Sequence, residues 1–113
     1  ELYPEIDELF KHFGYSNMHM GTVEGDFSIE SFLDKLKNLH PAHVHLAPFM
    51  IVAGDHATND MSGEDDDSWK SILEKEGYSV KCTLKGLGEI QAVRDIFIRH
   101  TRAVLDRLSE IQA

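Results

Sequence analysis

The residues with chemistry to offer gather at three places, each following a run that reads as a strand. Asp55, His56, Asn59 and Asp60 crowd together directly after the apolar run Leu46 to Ala53 and Gly54. Glu24 stands in Glu24-Gly25-Asp26, after Asn17 to Val23, and Lys85 to Glu89 follows Tyr78 to Leu84. In open α/β sheets ligands bind beyond the carboxyl ends of the strands, so the three tips are expected on one edge. One carboxylate and one imidazole make an N/O donor set, better suited to Co²⁺, Fe²⁺, Ni²⁺ or Zn²⁺ than to Mg²⁺ or Ca²⁺. Two protein ligands fall short of the three that a catalytic metal site commonly has. The same Glu24–His56 pair without metal is an acid/base couple. Spacing alone does not choose between them.

Other clusters carry less. His40, His43 and His45 lie in HPAHVH, and i and i+2 on a strand share a face. They sit at the start of the strand, away from the ligand-binding edge. The acidic run Ser62 to Asp67 lacks the D-x-D-x-D-G…E spacing of a calcium loop. It reads instead as negative charge before a helix N-terminus. Gly86 and Gly88 form neither a P-loop nor a dinucleotide fingerprint. A hydrolase built on Glu24 and His56 would need a nucleophile. No G-x-S-x-G is present, and Cys82 falls inside the run Tyr78 to Leu84, where a buried, inert thiol is expected.

The elements that position these groups follow from periodicity. Ile6, Leu9, Phe10 and Phe13 recur at helical spacing up to Gly14, predicting a helix over Leu2 to Phe13. Asn17 to Val23 reads as a short strand. Ser28 is placed to cap a helix carrying Phe32, Leu33, Leu36 and Leu39, which Asn38, His40 and Pro41 end. His43 to Ala53 is expected as the central strand, buried on both faces. Trp69, Ile72 and Leu73 open a helix that Lys75 and Gly77 close, and Tyr78 to Leu84 alternates as a strand. Last comes a stripe of Ile90, Val93, Phe97, Thr101, Val104, Leu108 and Ile111, widened by Ile96 and Leu105, which reads as a core-facing helix. Arg94, Arg99, Arg102 and Arg107 fall mainly off it. The alternation implies βαβ units: an α/β, three-layer, mostly parallel sheet flanked by helices, with right-handed crossovers. Opening on a helix is unusual for such a chain, and a strand ahead of it would complete the sheet.

Bulk properties narrow the partners. The 113 residues suit one domain, 42% of them hydrophobic. The net charge of −9, from 20 acidic and 11 basic residues, argues against a nucleic-acid module. A single cysteine excludes an intrachain disulfide and a Cys-based zinc site. No run of 18 apolar residues is present to span a membrane. No signal peptide is visible, so a cytoplasmic location is expected; because the chain starts at Glu1 rather than Met, a periplasmic one is the alternative had a signal peptide been removed.

Four pieces carry a family resemblance in the family's order: GTVEG (Gly21 to Gly25), PFMIVAGDHATNDMSG (Pro48 to Gly63), DSWKSILEKEGY (Asp67 to Tyr78) and LKGLGE (Leu84 to Glu89). Together they cover nearly the whole chain, which resembles the C-terminal half of the anaerobic sirohydrochlorin cobaltochelatases of the CbiK type, within the class II chelatases. The resemblance implies insertion of Co²⁺ into sirohydrochlorin on the anaerobic cobalamin route, with Fe²⁺, Ni²⁺ or Zn²⁺ as other metals and no organic cofactor. It implies two similar α/β halves with the active site between them, and a metal held by two histidines and a glutamate. The glutamate matches Glu24 and the second histidine matches His56, which would also be the catalytic pair. The first histidine lies in a Gly-His-Gly type stretch that this sequence does not contain. Residues 1–113 are therefore expected to be one α/β domain, a fragment supplying the C-terminal lobe and two of three ligands. The N-terminal lobe of the same enzyme would be its partner.

For a substrate rich in carboxylates, Lys85 is the expected binding residue, ahead of Lys81 and Arg94. Asp55, Asn59 and Asp60 are expected to shape the loop and orient His56. A tetrapyrrole- or metal-binding module without insertion activity is the alternative. Oligomeric state is left open, a homo-oligomer included.

Overall fold

Val44, Leu46 and Val80 turn inward from two short strands onto a cluster of buried Ile29, Phe32 and Leu73. A computed structural model describes residues 2–25, 27–39 and 41–112 of this chain. Asp26 of the first tip and His40 of the histidine group lie outside the described residues. The elements in order are α1 (Leu2–His12), α2 (Ile29–Leu39), β1 (His43–Leu46), a π-helical turn (His56–Met61), α3 (Trp69–Lys75), β2 (Ser79–Cys82), a 3₁₀ turn (Leu87–Glu89) and α4 (Gln91–Gln112).

β1 and β2 pair in parallel, His43 opposite Ser79 and Leu46 opposite Cys82. The crossover between them runs through the π-helical turn and α3, which is the expected βαβ unit. Its inner face rests on α2 and α3, with Leu33, Leu36, Trp69, Ile72 and Tyr78 completing the core. Ser68 begins α3: its buried hydroxyl accepts from the Ser71 N–H at 3.1 Å and donates to the Gly63 C=O at 2.7 Å. This cap ties the preceding loop to the helix.

The structure corrects the expected fold in four places. Among the described residues the sheet has two strands, not three. Asn17 to Val23 forms no ladder. The Met20 N–H donates instead to the Asp7 carboxylate at 2.9 Å, and the Thr22 N–H to the Phe27 C=O at 2.8 Å. The central strand stops at Leu46 rather than Ala53, since Pro48 has no N–H to give a ladder. The central strand is not buried on both faces: His43 and His45, like Ser79 and Lys81 on β2, are exposed, which keeps their polar groups in water.

The third layer is therefore not formed among the described residues. α1 buries only Asp7, and α4 buries nothing. Phe97, Val104, Leu108 and Ile111, expected in the core, are all exposed. α4 has 22 residues, about 33 Å at 1.5 Å per residue. It stretches the molecule to 63 × 31 × 24 Å, with a radius of gyration of 17.8 Å. A compact chain of this length would have about 13 Å. No helix among the described residues is long and apolar enough to cross a membrane.

Leu73 is 1% exposed and sits where α3 meets the sheet and α2. Leu73→Ala is expected to cost about 2–5 kcal/mol in urea denaturation. Lys81→Ala, on the open face, should stay within about 0.5 kcal/mol. Equal losses at the two positions would mean that the core does not pack on this side.

Candidate functional site

The segment after β1 delivers His56. Its backbone is fastened to the loop after β2, where Leu87 N–H donates to the Met50 C=O at 2.7 Å and Gly88 N–H to the Ile51 C=O at 3.0 Å. Gly86 lets the two chains approach this closely, since a Cβ there would stand 2.4 Å from the Ile51 oxygen. The Glu89 carboxylate accepts from the Gly86 N–H at 3.1 Å and closes the turn. Two of the three tips are thus joined by backbone bonds. Lys85 lies exposed beside this junction. Lys81 is on the open face of β2. The Arg94 guanidinium is engaged at the start of α4, donating to the Gly88 C=O at 3.1 Å and to Gln91 Oε1 at 2.7 Å.

The residues expected to form a loop after Gly54 instead form the π-helical turn. Wide turns of this kind are rare and frequent at functional sites. Ala57, fully buried, and Met61 anchor it, and Ser62 caps it by donating to the Ala57 and Thr58 carbonyls at 3.2 Å. His56 stays outside, its side chain 85% exposed, and Nδ1 meets Asp60 Oδ2 at 2.9 Å. With Nδ1 so occupied, Nε2 is the ring nitrogen left to solvent.

The hydrogen bond and the charge of Asp60 raise the His56 pKa above its ordinary value. Solvation loss opposes this slightly, and the negative charges of Asp55 and Glu24 add to it. Of these charges that of Glu24 acts most weakly. Glu24 stands exposed at the tip of a turn closed by Thr22, whose hydroxyl donates to the Glu24 C=O at 2.6 Å, and by Gly25 at φ +95°. Asp55 precedes the π-helical turn without capping it, and Asn59 contributes no side-chain hydrogen bond among the described residues.

No group of three or more His, Cys, Asp or Glu side chains able to hold a metal ion is present among the described residues. His43 is exposed on β1, and His45 Nε2 is 2.6 Å from Thr83 Oγ1. Cys82 is half-buried, and burial pushes its thiol pKa up, as befits an unreactive sulfur.

The family profile of the cobalt chelatase CbiK matches residues 1–106. The chain belongs to the cobalt chelatase family. A sirohydrochlorin cobaltochelatase of Salmonella typhimurium is 40% identical over 91 residues, 80% of this chain and 34% of that protein. One of Nitratidesulfovibrio vulgaris is 35% identical over 94 residues, 83% of this chain and 33% of that protein. The chain spans about a third of the length of these curated relatives. Within this cobalt chelatase chain, spacing had pointed to Glu24 and His56, and nothing in it had pointed to the wide turn. The buried Asp7, whose carboxylate holds the segment leading to Glu24, was also unmarked. The only signal was an acid on the inner side of an amphipathic helix.

Asp60→Asn is expected to lower the His56 pKa towards its ordinary value, read from the imidazole resonances in an NMR pH titration. An unchanged titration would show that the pair does not form in solution.

Proposed function

We propose that this chain is the C-terminal lobe of a two-lobed cobalt chelatase that inserts Co²⁺ into sirohydrochlorin on the anaerobic route to cobalamin. The observation that carries this reading is the placement of His56 in a CbiK-family chain. Its Nδ1 is engaged by Asp60, which leaves Nε2 outward, and the Glu24 carboxylate adds a weak negative field. Both relatives named above are called sirohydrochlorin cobaltochelatases. Glu24 and His56 are the metal ligands this lobe contributes. The rest of the enzyme supplies the remaining donor and the second wall of the cleft.

Insertion exchanges two pyrrole N–H protons for one divalent ion. The metal must be held by few, exchangeable ligands, and bases must stand near the ring. An imidazole with a raised pKa serves both needs: it binds metal when neutral and retains a proton once the metal has left. Glu24 favours the cation by charge and is the second proton acceptor. Asp60 orients His56, and Asp55 adds negative charge that draws the cation in. Asn59 lies within the turn that carries His56. Lys85 meets a substrate carboxylate beside the cleft. The same N/O donors admit Fe²⁺, Ni²⁺ or Zn²⁺, with supply setting the metal used.

The test is metal insertion by the longer enzyme, followed by absorbance of the tetrapyrrole. Glu24→Ala and His56→Ala should each lower the rate by roughly 10²–10⁴-fold. A module that only binds tetrapyrrole or metal would show binding without turnover. The acidic limb of the rate profile should move to lower pH in Asp60→Asn, because protons compete with metal at an imidazole of lowered pKa. Full activity in both alanine variants would remove Glu24 and His56 from the reaction.

A further inference from the structure

Backbone bonds join the tips that carry His56 and Lys85 to each other, and the Glu24 tip shares none of them among the described residues. Its anchor lies on α1. Of the residues of α1 only Asp7 is buried, at 5% exposure. A carboxylate is the last side chain a helix should bury, unless a partner holds it there. That partner is the Met20 N–H, 2.9 Å from Oδ1. Lys11 and His19 come only to 3.7 Å. A backbone N–H donating to a carboxylate makes a stronger bond than one between neutral groups.

Among the described residues this is the one hydrogen bond that ties Ser16 to Gly21 to another element. The fixed points then run on without a gap. Met20 is itself buried, and Gly21 lies so close to the core that a Cβ there would stand 2.6 Å from the Trp69 ring. The Thr22 N–H donates to the Phe27 C=O at 2.8 Å, and the Thr22 hydroxyl to the Glu24 C=O at 2.6 Å. Glu24 follows Met20 by four residues. A freed tether of that length, at up to about 3.4 Å per residue, lets a carboxylate wander by well over about 1 Å. A misplacement of about 1 Å can cost about 10²-fold in rate.

We propose that Asp7 is a positioning residue for metal insertion: through the Met20 N–H its carboxylate sets where the Glu24 carboxylate stands. The proposal rests on the reading of Glu24 as a metal ligand. Asp7 is buried under the segment it holds and meets neither metal nor tetrapyrrole itself. Its effect on the reaction therefore passes through Glu24. A bond that served only the stability of the fold would act on every step alike, and would act equally with or without the Glu24 carboxylate.

A double-mutant cycle in the longer enzyme, read by insertion kinetics, tests this. Asp7→Ala should slow insertion roughly 10- to 10²-fold, as a raised KM for Co²⁺ with the KM for sirohydrochlorin unchanged. In a Glu24→Ala background the same change should add less than about twofold, because residues that act as a unit are not additive. Asp7→Asn, whose amide oxygen still accepts from the Met20 N–H, should restore most of the rate. Should Asp7→Ala fail to fold, Asp7→Glu takes its place in the cycle: it keeps the charge and the acceptor and moves the anchor by one methylene. Losses that multiply across the Asp7 and Glu24 changes would overturn the proposal, as would Asp7→Asn as slow as Asp7→Ala. An inert Glu24→Ala would instead overturn the chelatase assignment of Glu24, and this proposal with it.

Discussion

The register of His43 to Leu46 against Ser79 to Cys82 fixes where both strands end, and with them the loops that follow. Beyond Leu46 the chain leaves the ladder, yet it is held in place by bonds from Leu87 and Gly88 back to Met50 and Ile51. Parallel pairing is thereby extended past the strands as backbone contact between two loops. His56 lies five residues beyond Ile51, on a turn whose own anchor, Ala57, is fully buried. An exposed imidazole is in this way carried on a fixed base. A ligand presented to a metal gains from such prepayment of its ordering.

The charge around His56 is negative. Asp55, Asp60 and Glu24 all act on His56 in the same direction, in a chain whose net charge is −9. A carboxylate-rich ligand approaching this edge would be repelled unless cations stood nearby. Lys85, beside the 3₁₀ turn, is the exposed cation next to the junction of the two loops. Arg94 is drawn away to Gly88 and Gln91.

Motifs in the sequence located the family and pointed to Glu24 and His56 because short-range chemistry is written locally: a glycine, a carboxylate, an imidazole, each next to an expected strand end. The βαβ unit was readable for the same reason, from Trp69 to Gly77 at helical period and from alternation in Tyr78 to Leu84. What periodicity could not supply was context. Asn17 to Val23 has strand composition, yet without a neighbour its N–H groups go to Asp7 and Phe27. The stripe on α4 is apolar at the period of a core helix, but a stripe states only that a surface seeks cover. The length of β1 was overread because an apolar run does not reveal that Pro48 ends the ladder. The π-helical turn depends on the burial of Ala57 and Met61, and neither residue type signals an extra residue per turn.

Trp69 is the chain's one tryptophan, and it stands at a junction. Its ring is 6.4 Å from that of Phe32, and a Cβ on Gly21 would come within 2.6 Å of it. The indole therefore touches α2 and the segment leading to Glu24 at once. Its fluorescence is a built-in gauge of whether that segment lies against the core. A red shift without loss of helical circular dichroism would report the segment lifting away while the βαβ unit stays folded. The chain thus carries its own optical probe for the docking of that segment against the core.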